Sequence, residues 1–236
     1  MTIAIMQPYF LPYIGYWQLL NDVDIFVIYD NIQFSKKGYF CRNNILLNGK
    51  RTIFSIPIKK DSDYLNIVDR SISDNSDKQI NKILGQIKNS YKNAPFFNDV
   101  FQVIELIFKY EEKNLFKYIL NSIKKINEYL EITTKIVVSS CIDINHELKS
   151  QNKVLAINEK LNATKYINSI GGVALYDKKS FNNVNIELQF LESEIPKYKQ
   201  FNEDFIPYLS IIDIMMFNDK ENIKIMLKKY KLNSAI

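Results

Sequence analysis

The start of the chain constrains the fold most strongly, because two short apolar runs flank a segment with helical spacing. Residues 3–6 (IAIM) form the first run, and residues 24–30 (DIFVIYD) are almost continuously apolar inside, as in a strand that is covered on both faces. Between them, apolar residues at Ile14, Trp17 and Leu20 indicate a helix. Two strands joined by a helical crossover of this length are normally parallel. The pattern therefore predicts a β-α-β unit whose strands, at residues 3–6 and 25–29, are adjacent and parallel.

In the remainder of the chain, segments with the helical spacing of apolar residues alternate with short apolar segments typical of strands. Helical spacing recurs over residues 80–91, 97–108 and 115–130, which predicts a helical middle region from about residue 76 to 131. Further strands are predicted at residues 51–58, 135–140, 164–169 and 186–191, with a helix over 146–161 and closing helices from residue 208. Strands that alternate with helices favour an α/β fold with a mostly parallel, Rossmann-like sheet flanked by helices. We predict one domain over residues 1–236.

Composition excludes several classes of protein. A length of 236 residues, with 47% hydrophobic and 24% charged residues, is typical of a globular domain. The net charge is +5, but the basic residues form pairs rather than a stripe, so we do not expect nucleic-acid binding. No apolar run approaches the roughly 20 residues of a membrane-spanning helix, and the N-terminus has no basic region typical of a signal peptide. Cys41 and Cys141 cannot form a disulfide framework, so a reducing cytoplasm is the expected location.

Three polar segments follow predicted strands, and ligands of parallel sheets bind where strands end at their carboxyl edge. The segments are residues 7–16, residues 29–44 and residues 168–172. We expect Gln7, Tyr9, Tyr13, Tyr29, Asp30, Gln33 and Asn168 to line one concave site. Each residue type also has a structural interpretation: tyrosines after a strand often pack, and Gly171-Gly172 can be a tight turn.

Two carboxylates are candidate proton acceptors. Asp30 directly follows a buried strand, although it could equally cap a turn. Asp213 lies on an otherwise apolar helix and needs hydrogen-bonding partners there, so it could be a structural residue instead. His146 is the one histidine in the sequence, the two cysteines are far apart and no glycine-rich phosphate motif occurs. We therefore predict neither a metal nor a cofactor.

The opening motif also carries a resemblance to a known family. Residues 6–19 (MQPYFLPYIGYWQL) and 26–34 (FVIYDNIQF) resemble the start of the WbqC-like family. Residues 149–151 (KSQ), 166–172 (YINSIGG), 198–200 (YKQ) and 205–213 (FIPYLSIID) are similar to later segments of that family. The chain departs from the family pattern at Cys41 and Asn44, where relatives usually carry Asn and Arg, and it keeps Arg42 and Asn43.

This resemblance implies a role in bacterial surface-polysaccharide (O-antigen) biosynthesis. It favours a transferase that moves a glycyl, aminoacyl or other acyl group from an acyl carrier protein or another activated donor to the amine of a nucleotide-linked amino sugar. A glycosyltransferase or a non-catalytic sugar-binding protein of the same pathway stays open as the alternative. The catalytic candidates are Asp30, Tyr9 and Asp213. The substrate-binding candidates are Gln7, Tyr13, Tyr16, Tyr29, Gln33, Lys37, Arg42, Asn43, Asn168, Gly171 and Gly172, with Lys37 and Arg42 as a diphosphate clamp.

Overall fold

The computed structural model describes residues 1–201 and 204–234, and its main sheet has six strands. They are β1 (Thr2–Met6), β2 (Ile25–Ile28), β5 (Lys135–Val138), β6 (Lys165–Ser169), β7 (Glu187–Ser193) and β8 (Tyr230–Ser234). Their order across the sheet is β5-β2-β1-β6-β7-β8. The strands from β5 to β7 are all parallel, and β8 runs antiparallel to β7 at the edge. The predicted pairing of the first two strands is confirmed, because Ile3 lies opposite Ile25 in a parallel ladder.

Helices connect and cover these strands. They are α1 (Ile14–Asn21), α2 (Ser76–Tyr91), α3 (Phe97–Phe108), α4 (Leu115–Leu130), α5 (Ser150–Lys160), α6 (Lys178–Asn182), α7 (Ile211–Phe217) and α8 (Lys220–Leu227). The predicted α/β class and the helical middle region are therefore confirmed. The predicted domain of residues 1–236 includes positions 202–203 and 235–236, which lie outside the described residues, and the single-domain organisation stays a prediction. Within the described parts of the chain, no helix combines the length and the apolar character required to cross a bilayer.

Alternating residues of β1 and β2 point to opposite faces of the sheet and enter two separate cores. Ala4 and Phe26 face the larger core, which contains helices α1 to α4 together with α7 and α8. Ile3 and Val27 face the smaller core, where α5 and α6 cover the sheet. Both faces of the central strands are thus buried, which explains why these strands are nearly continuous apolar runs in the sequence.

The strand predicted at residues 51–58 is present, but it is not part of the main sheet. It forms β4 (Lys50–Ser55), which pairs antiparallel with β3 (Arg42–Leu47) in a separate two-stranded sheet. The connection is Asn48-Gly49, and both residues have positive φ values, of 52° and 70°. Asn-Gly is the preferred pair for such a hairpin turn because both positions favour left-handed backbone.

The helix predicted to begin at His146 begins later, at Ser150. The backbone of Ser150 is left-handed, with a φ of 49°, so the chain changes direction there and cannot continue a helix from His146. Residues 142–149 therefore form a loop after β5. That loop lies at the carboxyl edge of the sheet, where it contributes to the site described below.

Candidate functional site

A crevice opens between β1 and β6 at the carboxyl edge of the sheet. The chain builds the sheet outward from β1 in one direction (β2, β5) and later from β6 in the other (β7, β8), so β1 and β6 flank the point where the strand order reverses. The ladder between β1 and β2 extends to Met6, whereas β1 pairs with β6 through Thr2 and Ile3 alone. The two strands therefore separate toward their carboxyl ends. Open α/β sheets bind ligands at this position.

The crevice encloses about 890 Å³, a volume in the usual range for small-molecule sites. Its walls come from the loops after β1, β2 and β6, from the loop before α5 and from the first turn of α5. The polar and aromatic lining residues are Gln7, Tyr9, Tyr29, Asn31, Gln33, His146, Glu147, Lys149, Ser150, Gln151, Lys153, Asn168, Ser169 and Tyr176, together with Gly171 and Gly172.

Tyrosine hydroxyls fix the loop after β1. Tyr9 donates a hydrogen bond to Gln7 Oε1 (3.2 Å), and the buried Tyr16 donates to the Gln7 backbone carbonyl (3.2 Å). Burial raises the pKa of Tyr9, and the neighbouring Tyr13 adds to this effect. The Tyr9 hydroxyl therefore keeps its proton at neutral pH, and this proton can bond a ligand only if the hydroxyl turns away from Gln7.

An amide network shapes the wall after β6. Asn168 Nδ2 donates to the hydroxyls of Tyr166 and Tyr176, both at 2.8 Å, and Asn168 Oδ1 accepts from the Ser169 backbone N–H at 2.6 Å. Gly172 packs directly on this amide, since a Cβ atom at Gly172 would lie 3.1 Å from Asn168 Oδ1. By contrast, a Cβ atom at Gly171 would meet no atom within 4 Å. Asn168 thus holds Tyr176 in the wall, and Gly171 leaves open space beside it.

A hydrogen-bonded chain connects Asp30 to the crevice without exposing it. Ser139 Oγ lies 2.7 Å from Asp30 Oδ1 and 2.9 Å from Asn31 Oδ1, so its one hydroxyl proton is shared between these two acceptors. Asn31 Nδ2 in turn lies 3.0 Å from His146 Nδ1, and His146 Nε2 lies 3.0 Å from the Ile142 carbonyl oxygen. Because a carbonyl only accepts, His146 carries its proton on Nε2 and accepts from Asn31 on Nδ1. The ring is therefore held in one tautomer at the wall of the crevice.

Asp30 itself lies behind that wall. Its side chain is buried, and its second oxygen, Oδ2, accepts from Ser140 Oγ at 2.6 Å. The Ser140 backbone N–H donates to Asp30 Oδ1 at 2.9 Å. These bonds join the end of β2 to the 3₁₀ turn after β5. The geometry favours a positioning role for Asp30, and a catalytic role stays a prediction.

Lys153 is the buried cation of the crevice. It lies on the first part of α5 and its side chain is 4% exposed. Its Nζ donates to the His146 carbonyl oxygen at 3.2 Å and lies 5.1 Å from the centre of the Tyr29 ring. Burial lowers the pKa of Lys153, whereas the charges of Asp30 and Glu147 oppose this change. A lysine with a lowered pKa in a cleft is a feature of many functional sites.

The structure brings together half of the residues predicted from sequence. Those that line the crevice are Gln7, Tyr9, Tyr29, Gln33, Asn168, Gly171 and Gly172. Tyr16 lies beneath the loop after β1, and Tyr13 lines a separate small pocket with Tyr198 and Tyr208.

The predicted diphosphate clamp lies outside the lining. Arg42 donates through Nε to the Gly38 carbonyl oxygen at 3.0 Å and through a second nitrogen to the Lys37 carbonyl oxygen. Lys37 is exposed on the same turn. Asn43 donates to the Phe10 and Leu11 carbonyl oxygens, at 3.1 and 2.8 Å, and so supports the loop after β1. These contacts give Arg42 and Asn43 loop-supporting positions in the structure.

Asp213 is the centre of a second buried group, which we call the Asp213 cluster (Asp213, Tyr91, Tyr198 and Gln200). Asp213 Oδ1 accepts from Tyr198 (2.6 Å) and Gln200 (2.7 Å), and Oδ2 accepts from Tyr91 (2.8 Å). The Tyr91 hydroxyl also accepts from the Leu46 backbone N–H at 2.9 Å. Burial raises the pKa of Asp213, although all three side-chain donors oppose the shift. The cluster joins α2, α7 and β3, and none of its members lines the crevice.

Sequence reasoning missed the contribution of the loop after β5. His146 and Glu147 of this loop line the crevice but were not predicted as site residues, and the same holds for Asn31 after β2, Lys153 on α5 and Tyr176 after β6. A signal was present, since residues 135–140 are a predicted strand and the segment after them also ends at the carboxyl edge. No group of three or more His, Cys, Asp or Glu side chains suited to a metal ion occurs in residues 1–201 and 204–234.

Comparisons with known proteins identify what the chain is similar to. An uncharacterized protein of Mycobacterium tuberculosis (strain ATCC 25618 / H37Rv), Rv1507c, is 23% identical over 218 residues, which cover 90% of this chain and 92% of the relative. No solved structure matches the chain. The model of the WbqC-like protein family matches residues 7–225, a range that contains every residue of the crevice lining except Ile5 and Met6. The chain belongs to the WbqC-like protein family.

Proposed function

We propose that this chain is a transferase of bacterial surface-polysaccharide (O-antigen) biosynthesis, which acts in the cytoplasm. It would move a glycyl, aminoacyl or other acyl group to the amine of a nucleotide-linked amino sugar that binds in the crevice. The donor would be an acyl carrier protein or another activated acyl compound. The substrate class comes from the family resemblance, and the shape and lining of the crevice support it.

The observation that carries this proposal is the convergence of four polar segments on one crevice where the strand order reverses. Amide groups of Gln7, Asn31 and Gln33 and hydroxyls of Tyr9 and Tyr176 line it. Amide and hydroxyl groups of this kind bind sugar hydroxyls, and aromatic rings pack against sugar or base faces. A volume of about 890 Å³ accommodates a ligand larger than a single sugar.

The reaction requires alignment, a proton acceptor and a donor toward the developing oxyanion. The amine nitrogen attacks the acyl carbonyl carbon, an amide C–N bond forms and the C–S or C–O bond to the carrier breaks. The amine proton passes to a base and then to the leaving sulfur or oxygen. We assign Glu147, the carboxylate of the crevice lining, as this base, and Tyr9 as the donor toward the oxyanion once its hydroxyl turns from Gln7 to the ligand.

Intact-mass analysis of a nucleotide-linked amino sugar incubated with the protein and candidate donors tests the proposal directly. The sugar nucleotide should gain the mass of the acyl group, and only in the presence of protein and donor. Binding of the sugar nucleotide without any mass change, over all donors tested, would favour a non-catalytic sugar-binding protein. Release of the nucleotide with transfer of the sugar would favour a glycosyltransferase.

Two variants separate the candidate bases. Glu147→Gln should lower kcat by about 10²–10⁴-fold with little change in KM, because it removes proton transfer and keeps the shape of the side chain. Asp30→Asn should affect kcat mainly through the position of Ser139 and Asn31. If Asp30→Asn lowers kcat by that factor with an intact fold, and Glu147→Gln does not, the base is Asp30 and our assignment is wrong.

A further inference from the structure

We propose that Lys153 and the first turn of α5 form a phosphate-binding subsite in the crevice, which takes the diphosphate of a nucleotide-containing ligand. This inference deepens the proposed function and rests on it for the identity of the ligand. It places the phosphates at α5, and it thereby leaves the side of Gln7 and Tyr9 for the sugar.

The first observation is the incomplete solvation of the Lys153 ammonium group. The side chain is 4% exposed, yet its Nζ has one hydrogen bond, to the His146 carbonyl oxygen, and the face of the Tyr29 ring as partners. Lys153 forms no salt bridge with a carboxylate of the described residues. An ammonium group has three donors, and its burial is unfavourable unless charge and hydrogen bonds replace water. A bound phosphate would supply both.

The second observation is independent of the lysine charge and concerns the backbone of α5. This helix of 11 residues has no side chain that caps its N-terminus. Lys149, which precedes the helix, and Ser150 and Gln151, which begin it, line the crevice together with Lys153. The first N–H groups of a helix lack internal partners, and the helix dipole favours negative charge there. The uncapped N-terminus of α5 and the residue Lys153 therefore line the same crevice.

The surroundings leave room for a bulky anion. Gly171 lines the same crevice, and a Cβ atom at this position would meet no atom within 4 Å. The acidic groups near Lys153 are Glu147, which is exposed, and Asp30, whose oxygens accept hydrogen bonds from Ser139 and Ser140. The negative charge of Asp30 thus acts on Lys153 from a distance, but Asp30 accepts no hydrogen bond from the Lys153 ammonium group.

Isothermal titration calorimetry with UDP, coenzyme A and uridine tests the subsite without any requirement for turnover. UDP and coenzyme A both carry a diphosphate, and they represent the sugar-nucleotide and acyl-donor sources of this group, respectively. Lys153→Met, which keeps an apolar stem and removes the ammonium group, should weaken binding of UDP or of coenzyme A, whichever occupies the subsite, by about tenfold or more. Uridine, which has no phosphate, should bind the variant and the wild type equally. Lys160→Met is the matched control, because Lys160 is exposed on the same helix.

Loss of UDP affinity in Lys153→Met supports the subsite for the sugar nucleotide, and loss of coenzyme A affinity supports it for the donor. Equal affinity of both ligands for wild type and Lys153→Met overturns the proposal, as does a wild type that binds neither. If Lys153→Met fails to fold, a crystal structure of the wild type with UDP decides: a phosphate oxygen away from Lys153 Nζ and the start of α5 overturns it. Binding through Lys153 without acyl transfer would refute the proposed function alone.

Discussion

The crevice and the Asp213 cluster both contain buried polar groups, but they differ in how completely those groups are bonded. In the Asp213 cluster, both carboxylate oxygens and the Tyr91 hydroxyl are bonded to other parts of the chain. In the crevice, the buried Lys153 has one hydrogen bond, and α5 begins without a side-chain cap. Complete bonding is typical of a structural element, whereas unused bonding capacity beside an open volume indicates a ligand site. The difference separates two regions that both held candidate catalytic residues in the sequence, with Asp30 as the first candidate base and Asp213 as the second.

The largest effect on stability is expected from a substitution that breaks the Asp213 cluster. Asp213→Ala removes the acceptor of Tyr91, Tyr198 and Gln200, and it should lower the free energy of unfolding by about 3–5 kcal/mol. Urea denaturation followed by circular dichroism measures this change. Asp143→Ala is the control, since its salt bridge with Lys160 is solvent-exposed and should contribute at most about 1 kcal/mol. A loss below 1 kcal/mol in Asp213→Ala would contradict a structural role.

A smaller effect is expected at Gly172, where the crevice wall itself is tightly packed. The new Cβ atom of Gly172→Ala would lie 3.1 Å from Asn168 Oδ1, and Asn168 cannot easily move because Tyr166, Tyr176 and Ser169 hold it. We expect a loss of about 1–3 kcal/mol in unfolding free energy. Gly85→Ala, in the middle of α2 with no atom within 4 Å of the new Cβ, should instead add about 0.5–1 kcal/mol. Equal free energies of unfolding for the two variants would show that Asn168 moves away from the new Cβ atom without loss of stability.

The smallest effect on stability, and the sharpest test of the comparison, is expected at Gly171. Gly171→Ala places a methyl group in open space, so the unfolding free energy should change by less than about 0.5 kcal/mol. If a ligand occupies that space, its affinity should nevertheless fall, and calorimetry with UDP measures this. Unchanged affinity would place the bound ligand away from the Gly171 side of the crevice.

The parts of the fold that depend on local patterns were predictable from sequence. The strands at residues 3–6 and 25–29 and the helices between residues 76 and 131 follow from periodicity alone. The pairing of residues 51–58 does not follow from periodicity, because it depends on the Asn48-Gly49 turn and on a partner strand, Arg42–Leu47, that apolar spacing does not reveal. Strand partners are set by contacts distant in sequence, and apolar alternation does not identify them.

In the candidate site, too, some residues follow from local sequence patterns and others depend on packing between distant parts of the chain. Residues directly after strands, such as Gln7, Tyr29 and Asn168, line the crevice as predicted from the position of strand ends. Neighbouring residues at a strand end point to opposite sides, which explains why Tyr29 and Asn31 line the crevice while Asp30 lies behind it. Lys153 was missed because it lies on a helix, and its burial results from the packing of α5 rather than from a local motif.

The short ladder between β1 and β6 has a mechanical consequence. The two halves of the sheet are joined at the amino end of β1, by Thr2 and Ile3, and are separate at the carboxyl end. Gln7 lies about 13 Å along the strand from this junction, so a relative rotation of about 5° moves the walls by about 1 Å. Beyond this junction β1 and β6 are held in place by packing, with helix α1 contacting both β6 and β7, rather than by hydrogen bonds to each other.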